Sequence, residues 1–196
     1  MGYNGCWLAV KGKALSDLLA DFQLVPTGEM ERVAESNIVS AELPNGWNII
    51  QWNRSPDLLS NCELATASAG CEAVFCVLVE TVAASFSSGW KNGVELWSVY
   101  HAGEAGDDLD VKGNPPHPFN DIRARLEAEQ KQHNATKPPR RQRCDFIFSI
   151  PVELAETITG YSHIQDFPGD IPGVTFSVLE SVKKPKASFF RRIFQR

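Results

Sequence analysis

The segment AVFCVLVETVAASF, residues 73–86, constrains the fold of this chain more than any other. It is rich in β-branched and other apolar residues and shows no alternation of apolar with polar positions. A strand with water on one face alternates, so a run like this belongs to a strand buried on both faces. The expectation is a central strand, and the other elements must cover it.

Those elements follow from local signals. GCWLAVK reads as a first strand, and ALSDLLADFQL as a helix, since Leu15, Leu18, Leu19 and Phe22 recur at helical spacing. NIVSAEL and GWNIIQW flank Pro44-Asn45-Gly46 and read as a hairpin, because Asn-Gly accepts the positive φ angles of a tight turn. In SPDLLSNCELATASAG, Ser55 is the expected N-cap, Pro56 the first helical residue and Gly70 the stop. SGWKNGVELWSVYH is a second hairpin turning at Asn92-Gly93, and LDVKG is a short strand. FNDIRARLEAEQKQ is an amphipathic surface helix through Phe119, Ile122 and Leu126. CDFIFSIP is expected to be a strand, VELAETITGY a helix ending at Gly160, and VTFSVLE a last strand. The sum is an α+β fold: a largely antiparallel sheet of about six strands, three or four helices, and a single domain over residues 1–182. Residues 183–196 form a basic tail.

Charge separates the two parts. The whole chain carries −5, yet six basic residues and no acid lie in the last fourteen positions, which leaves −11 on residues 1–182. An acidic body repels phosphate, so nucleic acid is not an expected partner. The tail, KKPKASFFRRIFQR, sets Phe189, Phe190, Ile193 and Phe194 against Arg191, Arg192 and Arg196 if helical, which makes contact with an anionic membrane an alternative use. No run reaches the length of a membrane-spanning helix, and MGYNGCWLAVKGK lacks the pattern of a secretory signal. Cys6 also stands where a myristoylation motif needs Ser or Thr. Five cysteines without metal or redox spacing suit reduced thiols, so a cytoplasmic location is expected.

The candidate chemistry concentrates in HAGEAGDDLD, where His101 precedes Glu104, Asp107, Asp108 and Asp110. A metal site or an acid/base pair needs carboxylates that converge. Adjacent Asp107 and Asp108 diverge on an extended chain, and the alternating acids of a calcium loop are absent. His117, His133 and His163 are scattered, and none is read with a ligand four residues on. There is no GxSxG, GxxxxGK[ST] or HExxH pattern. Cysteines in apolar strands lack the surroundings that lower a thiol pKa. No catalytic residue, metal or cofactor is therefore assigned. A small hydrolase or transferase using His101 and the 104–110 acids remains the alternative.

Aromatics point the same way. Trp7, Trp47, Trp52, Trp90 and Trp97 all fall on expected strands and read mostly as core, with Trp90, beside the hairpin tip, the one expected to be exposed. LWSVYHAGEAGDDLDVKGNPP followed by CDFIFSIPVELAETITGY resembles a pattern found in small bacterial proteins of the immunity type, which are encoded beside antibacterial toxins. The resemblance covers roughly residues 72–165 and transfers no functional residue. It implies a protein that binds and neutralises a cognate toxin. The expected contact surface is the hairpin tip at Trp90, Lys91 and Asn92 together with His101, Glu104, Asp107, Asp108 and Asp110.

Overall fold

A computed structural model describes residues 2–54, 59–103, 109–135, 145–163 and 173–182. Its strands are β1 (Asn4–Lys11), β2 (Leu24–Glu31), β3 (Ile38–Glu42), β4 (Trp47–Asn53), β5 (Glu72–Val79), β6 (Ala84–Lys91), β7 (Val94–Ala102), β8 (Leu109–Gly113) and β9 (Phe176–Ser181). The helices are α1 (Leu15–Phe22), α2 (Asn61–Ala67), α3 (Pro118–Ala135) and α4 (Ser149–Thr159). All nine strands join one sheet in the order β2-β9-β3-β4-β1-β5-β6-β7-β8, and every pairing is antiparallel. The α+β class and the antiparallel sheet stand as expected, while about six strands is corrected to nine.

Strand β5 lies between β1 and β6 and is buried on both faces, as its unbroken apolar run requires. Val74, Cys76 and Leu78 face the layer containing α3 and α4, whereas Ala73, Phe75 and Val77 face the layer containing α1 and α2. The sheet is thus sandwiched, and α1 and α3 bury the faces that their helical spacing marked.

Three segments differ from the sequence reading. The run 73–86 is not one strand, because Glu80–Val82 forms a 3-10 turn and Ala83 takes a left-handed φ of 49°, after which β6 begins. Alanine at a positive φ carries no turn signature, which hid the corner. Strand β2 went unmarked because LVPTGEME contains Pro26 and Gly28 and is almost wholly exposed. The expected strand CDFIFSIP is instead a turn over residues 147–148 leading into α4.

Helix α2 is also shorter than expected and begins later. Its cap is Ser60, whose Oγ accepts from Glu63 N while Ser60 N donates to Glu63 Oε2 at 2.9 Å, a reciprocal capping box. The expected cap Ser55 and Pro56 lie outside the described residues, as do residues 183–196. No described helix is long and apolar enough to cross a membrane.

Candidate functional site

On the α3/α4 face, β6 presents only small groups: Ser85, Ser87 and Gly89 lie opposite His101, Val99 and Trp97 of β7. A side chain at Gly89 would collide with the Trp97 indole, so glycine is required for that close approach. The stripe lets α4 settle onto β6, and the entrance to α4 is then held by polar side chains from three elements. Ser85 Oγ donates to Phe148 O at 2.7 Å. Gln130 of α3 accepts through Oε1 from Phe146 N at 2.8 Å and from Ile147 N at 3.3 Å. His101 Nε2 meets Asp145 Oδ2 at 2.9 Å, and Asp145 Oδ1 accepts from Phe148 N at 3.1 Å.

This network explains why residues 145–148 turn rather than extend. Buried backbone amides need partners, and here side chains from elsewhere in the fold supply them. His101, expected on the contact surface, sits on β7 with no exposed surface. Among the described residues its carboxylate partner is Asp145, 44 residues away. Serine, histidine and aspartate thus gather at one corner, but Ser85 Oγ is spent on a carbonyl and both Ser85 and His101 are closed to solvent. A nucleophile must reach its base and its substrate, and this arrangement positions a helix instead.

Glu104, Asp107 and Asp108 lie outside the described residues. Asp110 is on the edge strand β8, exposed and 3.4 Å from Lys112 Nζ.

The opposite end of β7 has the reverse character. Asn92 and Gly93 form the expected turn with φ of 52° and 82°. Lys91 pairs with Glu72 at 2.7 Å, both about half exposed. Trp90, expected to be exposed, is only 6% accessible. A β-bulge shifts the register between Gly89 and Trp90, and Trp90 packs into the α1/α2 face with its Nε1 donating to Ser88 Oγ at 3.0 Å. The apolar groups that do face water at the tip are Val94, 60% exposed, and Leu96, 50% exposed, with Glu95 between them. Sequence reasoning passed over Val94 and Leu96 because they sit in an alternating strand pattern that usually marks a buried face.

The described parts of the expected contact surface, 90–93 on one side and His101 and Asp110 on the other, are therefore near opposite ends of a nine-residue strand, about 25 Å apart along β7. No protein-family model, curated protein or solved structure matches this chain.

A second polar cluster closes the far end of β1. Tyr161 OH donates to Gln51 Oε1, Gln51 Nε2 donates to Asn53 Oδ1 at 2.7 Å, and Tyr3 OH donates to the same oxygen at 3.1 Å. Burial pushes the Tyr3 phenol well above its ordinary pKa, with the charges of Cys6, Cys76 and Glu80 adding to the effect. Tyr3 also stacks against His163 with ring centroids 4.8 Å apart.

Cys62, Cys71 and Cys76 are free thiols. Burial raises the pKa of Cys71 and Cys76, the opposite of what a thiolate nucleophile needs. His117 does have a partner four residues on, Asp121 at 3.8 Å, but both side chains stand in solvent. Among the described residues, no three His, Cys, Asp or Glu side chains are placed to hold a metal ion.

Proposed function

We propose that this chain is an immunity-type binding protein that engages and neutralises a basic, toxin-like protein in the cytoplasm, with the β6–β7 tip as its point of contact. The observation that carries the reading is the pair Val94 and Leu96, left in water beside Glu95 at the end of a rigid hairpin. A small apolar knob ringed by charge suits a partner pocket, where a few desolvated contacts supply most of the binding energy. The acidic exterior, −11 over residues 1–182, supplies steering toward a basic partner and disfavours acidic competitors.

The hydrolase or transferase alternative loses its main support, because the histidine it relies on is enclosed and engaged by Asp145. The membrane alternative draws on residues 183–196 alone. The test is to co-express the chain with the toxin-like product of the adjacent gene and purify the pair. A stable complex that suppresses the toxic activity supports the reading, and the absence of any complex overturns it. Removal of residues 183–196 is expected to leave that complex intact.

A further inference from the structure

The chain contains three Asn-Gly pairs: Asn4-Gly5 lies within β1 with Gly5 buried, while Asn45-Gly46 and Asn92-Gly93 stand at hairpin turns with both asparagines exposed, and the fold treats these two differently. At the first, both reacting groups are occupied: Asn45 Nδ2 donates to Thr159 O at 2.7 Å, Asn45 Oδ1 accepts from Trp47 N at 3.4 Å, and Gly46 N donates to Leu43 O at 3.0 Å. At the second, the only hydrogen bond among the described residues is from Asn92 N to Cys71 O at 3.0 Å, which leaves the exposed Asn92 carboxamide and the half-buried Gly93 amide without a hydrogen-bond partner among them.

We propose that Asn92 is a site of spontaneous covalent modification, converting to aspartate and isoaspartate while Asn45 is protected. The Gly93 nitrogen, having lost its proton to solvent hydroxide, attacks Asn92 Cγ. A Cγ–N bond forms to close a succinimide, the Cγ–Nδ2 bond breaks, and Nδ2 takes a proton from water and leaves as ammonia. Water then opens the ring at either carbonyl, giving aspartate or isoaspartate. Gly93 offers the attacking nitrogen no side-chain hindrance, and at Asn45 the same reaction would first have to break the bonds to Thr159 and Leu43. Two neutral hydrogen bonds lost before reaction slow it roughly ten- to a hundredfold.

The product adds a negative charge to the tip beside Val94, and isoaspartate adds a main-chain carbon to a two-residue turn whose geometry fixes the β6–β7 register. The modification does not depend on what the tip binds. The experiment ages the native full-length chain in mildly alkaline buffer and follows both sites by peptide mass mapping and by acceptance of methyl groups from an isoaspartyl methyltransferase. Conversion at Asn92 is expected to outpace that at Asn45 by roughly ten- to a hundredfold, with the two rates converging when the chain is denatured. Asn92→Gln is expected to remove most of the methyl acceptance. Equal native rates, faster conversion at Asn45, or no conversion at Asn92 in a chain that converts once denatured would each overturn the proposal.

Discussion

Strand β7 has two ends that do opposite things. At the Ala102 end the histidine is enclosed, bonded to Asp145, and helps to hold the start of α4 on the sheet. At the Val94 end two apolar side chains, Val94 and Leu96, project into water. The histidine and carboxylate that suggested chemistry have become structure, and the ordinary-looking valine and leucine are what the fold leaves available. Residue type proposes a role; solvent access and partners decide it.

Substitutions should separate the two ends sharply. His101→Ala removes a fully buried side chain and strips Asp145 of a partner, so a loss of about 2–4 kcal/mol is expected in denaturant unfolding. An unchanged stability would return His101 to the list of functional groups. Gln130→Ala orphans the amides of Phe146 and Ile147 and is expected to cost about 1–3 kcal/mol, with faster amide hydrogen exchange at residues 146–148 than elsewhere.

Tyr3→Phe is expected to cost about 1 kcal/mol near neutral pH through the lost bond to Asn53. It also tests a pH effect. The folded state holds the phenol protonated above its ordinary value of 10.0, so Tyr3 contributes its full stability below that pH and loses it progressively as pH rises beyond. The phenylalanine variant should therefore fall less steeply than the wild type in thermal melts taken above about pH 10. Parallel curves would show that Tyr3 has no part in the alkaline limb. The smallest effect on stability, within about 0.5 kcal/mol, is expected for Leu96→Asp at the exposed tip.

What the sequence revealed was local. Helical spacing placed α1 and α3, Asn92-Gly93 placed a hairpin, and an unbroken apolar run marked β5 as a strand buried on both faces. What it concealed depended on distant partners or on backbone angles without a residue signature. Ala83 turns the chain at positive φ, so two strands looked like one. CDFIFSIP has the composition of a strand, and only Gln130, Ser85 and His101, brought from three other elements, make it a turn. Trp90 looked exposed because it neighbours a turn, but it keeps the regular alternation of β6 opposite Ala73 and so faces the α1/α2 layer. Neither Asp145 as the partner of His101 nor the exposure of Leu96 could be seen without the fold.

The proposed role of the tip is tested most directly by titrating the product of the adjacent toxin-like gene into the wild-type chain and into Leu96→Asp, at low and high salt. The expected result is binding in about the nanomolar range for the wild type, slower association at high salt, and at least about tenfold weaker binding for a Leu96→Asp chain that melts like the wild type. Equal affinity of the two chains, or no binding by either, would contradict it.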